Sequence, residues 1–232
     1  MKVLLIGKNG MLGSCLLKHL AGLADFEMYA TGREELDIAD FDAVQNLFKR
    51  ISPDFVLNCA AFTAVDACED QQKKEEVFRI NAKASGVLAK ACKEQNAVLV
   101  HFSTDYVFDG KKAEGYKEDA ETSPLNAYGQ SKLEGEDAIQ AVGDQFYIVR
   151  TSWLYGEGGK NFVDTMLKLG QECLEGKREK LKVVDDQIGS PTFTADLVRM
   201  VIDNFMTPYL SELPTQHEKR LKLDSSSAEV SR

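Results

Sequence analysis

The chain has 232 residues, enough for one domain or one and a half. Lys plus Arg number 28 against 37 for Asp plus Glu, a formal net charge of −9, which argues against a nucleic-acid partner because such surfaces need a basic footprint. A hydrophobic fraction of 44 % supports a real core, no apolar run approaches the ~20 residues that span a bilayer, and five cysteines without a CxxC pair point to free thiols in the cytoplasm rather than a disulfide framework or a zinc site.

In chain order, residues 2–6 form a short β-branched and leucine-rich run that ends in glycines, the pattern of a buried strand. Leu12, Leu16, Leu17 and Leu20 then recur at helical spacing. Residues 26–31 read as a second strand, and 40–51 as a helix with the stripe Phe41, Val44, Leu47, Phe48 and Ile51 and with Asp40 as its cap. A third strand follows at 54–58, a long helix at 75–95 and a fourth strand at 97–103. Residues 128–142 are helical, 146–152 a strand, 161–174 helical, 180–185 a sixth short strand and 194–205 a last helix. Strands alternating with helices mean βαβ units. Right-handed crossovers then give an α/β, Rossmann-type, doubly wound parallel sheet with ligands at the carboxyl ends of its strands. One Rossmann domain is expected over 1–205, with parts of a substrate site from about 150, followed by a short tail at 206–232.

The first strand runs into Gly7-Lys8-Asn9-Gly10-Met11-Leu12-Gly13. In such a turn the first glycine permits the sharp bend, the second lets backbone approach a pyrophosphate, and the third lets helix pack against strand. The helix N-terminus then offers free N–H groups and a positive dipole to phosphates. At the end of the second strand stands Thr31-Gly32-Arg33-Glu34-Glu35. Arg33 can pair with a 2′-phosphate, which favours NADPH. With Arg33 in solvent, Glu34 or Glu35 would instead face a ribose 2′-hydroxyl, and NADH remains possible. Asp37 and Ile38 lie where an adenine can be flanked.

Tyr128 and Lys132, at i and i+4, share one helix face. A neighbouring ammonium lowers a phenol's pKa from its usual ~10, so that tyrosine can exchange a proton with a carbonyl or hydroxyl oxygen. The lysine can also hold a ribose. Thr104 ends the fourth strand and can orient a substrate oxygen toward Tyr128, with Ser103 as the rival. His101 reads as structural, and neither His19 nor His217 carries an assigned function.

These residues resemble the extended short-chain dehydrogenase/reductases and, within them, the dTDP-4-dehydrorhamnose reductase family. The matching stretches are GKNGMLG at 7–13, ELDIAD at 35–40, PDFVLNCAAFTAVDACE at 53–69, STDYVFDG at 103–110, SPLNAYGQSKLEGE at 123–136, RTSWLYG at 150–156, NFVDTML at 161–167 and VVDDQIGSPT at 183–192. They follow the family's order over about 1–205. The resemblance implies hydride transfer from a reduced nicotinamide to C4 of dTDP-4-dehydro-L-rhamnose. Tyr128 would be the general acid, assisted by Lys132 and Thr104. Gly10, Met11 and Leu12 would meet the pyrophosphate within the turn that Gly7, Asn9 and Gly13 shape. Asp37, Ile38, Ala61, Phe62 and Thr63 would line the adenine and ribose, with Phe102 nearby. Thr104, Asp105 and Trp153 would contact the dTDP-sugar, with Asn161 and Gln187 as further candidates.

Where some members of the family bind magnesium through acidic residues, this chain has Cys15, Ser190 and Pro191, so no metal is expected. The family usually continues for several dozen residues beyond the helix ending near Phe205, which implies a reduced C-terminal substrate lobe. Leu213-Pro214-Thr215 and the stretch 219–224 faintly resemble the family's last substrate-binding segment. A homodimer or an enzyme partner is possible. A non-catalytic NADP-binding subunit resembling the β subunit of methionine adenosyltransferase, and an epimerase or dehydratase of the extended family, remain alternative functions.

Overall fold

The computed structural model describes residues 1–23, 26–143, 145–184 and 187–212. In chain order these form β1 (Lys2–Ile6), α1 (Met11–Leu20), β2 (Glu27–Thr31), α2 (Phe41–Ile51), β3 (Phe55–Asn58), α3 (Val65–Cys68), α4 (Lys74–Phe78), a π-helical turn (Arg79–Lys83), α5 (Ala84–Gln95) and β4 (Val98–Thr104). A 3₁₀ turn (Asp105–Val107), α6 (Ala127–Gln140), β5 (Phe146–Thr151), β6 (Leu154–Tyr155), α7 (Phe162–Leu174), β7 (Thr192–Phe193), α8 (Thr194–Val201), a second π turn (Ile202–Met206) and α9 (Thr207–Glu212) follow. The chain divides into two compact units, Met1–Val198 and Arg199–Arg232. The described part of the second unit, 199–212, is helical throughout.

Five strands form one parallel sheet in the order β2-β1-β3-β4-β5. This doubly wound order reverses between β1 and β3, which opens a crevice at their carboxyl ends. Successive strand residues point to opposite faces. Leu4 and Ile6 of β1, Val56 of β3 and Leu99 of β4 join Val44, Leu47, Phe48 and Ile51 of α2, Leu88 and Cys92 of α5 and Ile139 of α6 in one core. Val3, Leu5 and Leu57 are equally buried but lie outside that cluster, as do Leu12, Leu16 and Leu20 of α1. Both faces of the sheet are therefore covered, which is why the strands read as continuous apolar runs rather than alternating ones.

Local chemistry sets the helix ends. Asp40 accepts a hydrogen bond from the Ala43 N–H at 3.0 Å, Asn126 from Gly129 at 2.7 Å and Asn161 from Asp164 at 2.9 Å, each satisfying a donor of the first turn. Ser52 and Asn96 close α2 and α5 in the left-handed conformation.

The structure differs from the sequence reading at several points, among them the helix expected to end at 205, which continues through a π turn and α9 to Glu212. The helix expected over 75–95 carries a π turn at Arg79–Lys83, between α4 and α5. The two-residue strands β6 and β7 pair in parallel as a separate small sheet, too short to leave a periodic signal. Residues 180–184 form no strand, and Val183 and Val184 stay exposed; an alternating pattern becomes a strand only where a neighbour completes its hydrogen bonds. Asp185, Asp186 and the 213–232 stretch, including the segments matched at 213–215 and 219–224, lie outside the described residues. None of the described helices is long and apolar enough to cross a membrane. Among the described residues no group of three or more His, Cys, Asp or Glu is placed to hold a metal.

Candidate functional site

Backbone geometry builds the first part of the site. Gly7 leaves β1 at φ 88°, a left-handed conformation that a side chain disfavours. Its N–H and that of Lys8 donate to the Thr31 carbonyl at 2.8 and 3.0 Å, which ties the turn to the end of β2. A Cβ on Gly13 would stand 2.1 Å from the Gly7 carbonyl oxygen, so the close approach of α1 to the turn requires glycine there. Gly10 occupies the N-cap of α1 without a side-chain hydrogen bond to the first turn. The orphan N–H groups of a helix start are thus left to a ligand. Gly13→Ala is expected to destabilise the fold by about 1–3 kcal/mol, the usual range for overpacking, and to weaken dinucleotide binding. Thermal unfolding and cofactor fluorescence titration check both.

A cavity of about 230 Å³ opens over these glycines at the β1/β3 switch point. Of the residues predicted for the cofactor, Gly7, Asn9, Gly10, Arg33, Asp37, Ile38, Ala61 and Phe62 line it. Leu12 is buried, which leaves only its backbone for a phosphate, and Met11 is half-buried. Thr63 is exposed and does not line this cavity. Leu36, Cys59, Ala60 and Ile80 line it too and were not singled out in the sequence. The shape suits a dinucleotide: a glycine cradle that a Cβ would fill, a bare helix start and apolar walls for an adenine.

Arg33 is exposed at the rim and sits 3.3 Å from Glu76. Glu35 is committed elsewhere: it accepts from Lys8 and, at 2.7 Å, from the Gly32 N–H. The Lys8 hydrogen bond is the larger cause holding its carboxyl below the usual range. Glu34 is exposed. Of the two chemistries weighed for this corner, the guanidinium is thus the group on the cavity rim.

The π turn supplies a residue that sequence reasoning missed. Asn81, 1 % exposed, accepts from the Phe62 N–H at 2.8 Å and donates to the Phe62 carbonyl at 3.0 Å and to Ser131 Oγ at 2.9 Å. It pins the cavity wall to α6. A buried asparagine within an apolar helical stripe was the available signal.

The second part lies at the end of β4. Thr104 is buried. Its Oγ1 accepts from the Tyr106 N–H at 3.2 Å and donates to Asp105 at 3.1 Å. Tyr128, on α6, sits edge-on to Tyr106 with ring centroids 5.7 Å apart. Burial pushes the Tyr128 phenol up to about 12, while a hydrogen bond with Thr104 pulls it down. The lowering expected from the Lys132 ammonium is not among the causes of this shift, in which desolvation is the largest. Ser103, on the opposite face of the strand, holds a buried hydroxyl that lacks a hydrogen-bond partner.

Lys132 is 1 % exposed. Its Nζ lies 2.7 Å from the Phe102 carbonyl and 3.1 Å from His101 Nε2. Burial pulls its pKa down to about 8, with Glu136 acting in the opposite direction.

A further cavity of about 360 Å³ is lined by Asp105, Trp153 and Gln187 from the predicted substrate set, together with Tyr106, Phe108 and Asn126. Burial raises the Asp105 carboxyl above its usual range. Trp153 adopts φ 45°, and Gly189 presses against its indole so closely that a Cβ there would stand 2.9 Å from the ring. Unlike Ser52 and Asn96, Trp153 does not close a helix. A left-handed non-glycine residue costs of order 1–3 kcal/mol and clusters at functional sites. Asn161 is placed otherwise than expected. It caps α7, and its amide is engaged by Gly156, Gly159 and Asp164 at 3.3, 3.3 and 2.7 Å. It lines neither this cavity nor the dinucleotide cavity.

A glycine turn at the switch point of a doubly wound sheet, with a half-buried Tyr128 and a buried Lys132 one turn apart on the helix after β4, defines a dinucleotide-binding chain of the extended short-chain dehydrogenase/reductase class. More narrowly, the family model described as the RmlD substrate binding domain matches residues 1–212, and the chain belongs to this family. It is 43 % identical over 207 residues to the spore coat polysaccharide biosynthesis protein SpsK of Bacillus subtilis, covering 89 % of this chain and 70 % of that protein. It is 42 % identical over 197 residues to a dTDP-4-dehydrorhamnose reductase of Burkholderia thailandensis, covering 85 % and 63 %. The crystal structure of the Bacillus anthracis dTDP-4-dehydrorhamnose reductase in complex with NADP superposes with a TM-score of 0.81 at 40 % identity, covering 87 % of this chain and 69 % of that one. The chain thus spans about two-thirds of the length of these relatives.

Proposed function

We propose that the chain reduces the C4 ketone of dTDP-4-dehydro-L-rhamnose with NADPH to give dTDP-L-rhamnose. The observation that carries this reading is the placement of Tyr128 and the buried Lys132 one turn apart on α6, with Lys132 Nζ 2.7 Å from the Phe102 carbonyl beside Thr104 at the carboxyl end of β4. Dinucleotide and sugar cavities at the carboxyl edge of the same sheet support it, as do the reductases among its relatives. Bound NADPH would supply the hydride. Tyr128 donates its phenolic proton to the carbonyl oxygen as that oxygen gains charge, so C=O becomes CH–OH. Thr104 orients the phenol and, with Asp105, the sugar; Trp153 offers an apolar face to the ring or base. Lys132 binds the nicotinamide ribose and favours the phenolate once the proton has left.

NADPH carrying deuterium at the transferred position is the direct test. The reading predicts dTDP-rhamnose one mass unit heavier by mass spectrometry; unlabelled product, or none, contradicts it. Arg33→Ala is expected to weaken NADPH about tenfold, roughly 1.4 kcal/mol, and to leave NADH within about twofold. Equal losses in a titration of both cofactors would remove Arg33 from the 2′-phosphate.

One observation favours a second reading, a cofactor-binding subunit that acts through a partner. Helix α7 buries none of its residues, and Phe162, Leu167 and Leu174 on it are exposed. Exposed apolar patches of this kind mark interaction surfaces. On this reading NADPH binds but is not consumed.

A further inference from the structure

Two buried polar side chains that the proposed chemistry does not use, Asn58 and His101, form a line with Lys132. Asn58, His101 and Lys132 are each 1 % exposed. His101 Nδ1 lies 3.0 Å from the Asn58 amide nitrogen, and its Nε2 lies 3.1 Å from Lys132 Nζ. Asn58 Oδ1 accepts from the Ala60 N–H at 3.2 Å. Ala60 lines the dinucleotide cavity, and its nitrogen would stand 2.8 Å from a Cβ on Gly7.

We propose that His101 and Asn58 are positioning residues for Lys132, in which the protonation state of the amine sets the imidazole tautomer, the orientation of the Asn58 amide and, through it, the hydrogen bond to Ala60.

The supply of hydrogen-bond donors fixes each orientation along this line. Burial, and then Lys132, hold His101 well below its usual pKa, so the ring is neutral and carries one N–H. Ala60 occupies Asn58 Oδ1, so the amide group facing His101 is the NH₂ donor. Nδ1 must then accept, and the ring proton sits on Nε2, directed at Lys132. An ammonium has no lone pair to receive it. The arrangement therefore belongs to a neutral Lys132, whose own N–H donates to the Phe102 carbonyl. Protonating the amine reverses each link. Nε2 must accept, the ring proton moves to Nδ1, and Asn58 must turn over to present its oxygen. Ala60 would then face an NH₂, donor against donor, and its hydrogen bond opens. One proton is taken up overall.

The groups around Lys132 place this exchange within reach. The Glu136 carboxylate on α6 favours the ammonium, and burial favours the amine, leaving Lys132 at about 8. Cys59, beyond β3, is pushed up by burial, and Tyr128, one turn earlier on α6, is raised to about 12, so both stay uncharged over that range. The link to function rests on the reading of Lys132 as the ribose-binding residue: a ligand offering acceptors to Nζ favours the ammonium and, with it, release of the Ala60 N–H beside the cofactor.

Nitrogen-15 NMR of the full chain with labelled histidine tests this without turnover, so its failure and that of the catalytic reading are distinguishable. His101 is assigned by elimination with His19→Gln and His217→Gln. Between about pH 6.5 and about pH 9.5, spanning ~8, the ring is expected to change from the Nδ1–H to the Nε2–H tautomer. The midpoint should match that of Lys132 Nζ in lysine-labelled protein, and NADP⁺ should raise it. Lys132→Met is expected to hold one tautomer throughout. A single tautomer in the unsubstituted chain, or a change that survives Lys132→Met, would overturn the proposal.

Discussion

Tyr128→Phe is expected to lower NADPH-dependent reduction by about 10²–10⁴-fold, the usual contribution of a positioned general acid, and to leave the cofactor Kd within about twofold. The ring stays, so its edge-on contact with Tyr106 and the packing of α6 persist. Only the phenolic hydroxyl is lost. The effect should therefore fall on kcat rather than on folding. Steady-state kinetics beside a cofactor titration separates the two. Unchanged turnover in a folded variant would remove the phenol from the mechanism.

Arg150→Met is expected to destabilise the fold by about 3–5 kcal/mol, because it strands a buried carboxylate. Glu136 has a fully buried side chain, and Arg150 meets it with Nε at 3.1 and 3.2 Å and with Nη2 at 2.6 Å. The same guanidinium donates to the Glu118 carbonyl at 3.1 Å and lies 5.0 Å from the centre of the Phe108 ring, which stacks on Tyr116. It thus joins the helix of Tyr128 and Lys132 to the loop that carries Phe108 and Asp109 into the cavity lined by Asp105 and Trp153. Adding Glu136→Met to Arg150→Met should restore much of the stability, since an apolar pair in place of a buried ion pair is often neutral or better. Urea unfolding of the single and double variants decides this. A single variant within about 1 kcal/mol of the parent would mean that water reaches Glu136.

The sheet was legible because both its faces are covered. Runs such as Val3-Leu4-Leu5-Ile6 and Phe55-Val56-Leu57 have one structural use, and the glycines and caps between them mark their ends. The stretch at 180–185 misled because Leu181 and Val183 alternate just as a strand would, while its formation depends on a neighbour that sequence does not show. The candidate cavity was legible where backbone demands a residue type, as at Gly7, and the family likeness put Asp37 and Ile38 on its wall. Cys59, Ala60 and Asn81 escaped because their place depends on β3 and the π turn converging in space.

Tyr128 and Lys132 were readable as an i, i+4 pair. Their protonation was not, because burial rather than the neighbouring charge dominates both. Asn161 shows the opposite limit. An asparagine before an apolar helical run is a cap signal, and the structure uses it so, while family likeness had suggested the substrate.

The most direct test of the central claim is the absorbance of NADPH on mixing the purified chain with dTDP-4-dehydro-L-rhamnose. The account predicts a loss that requires the sugar nucleotide and disappears in Tyr128→Phe. NADPH that binds yet is not consumed would contradict it and leave the cofactor-binding subunit as the reading.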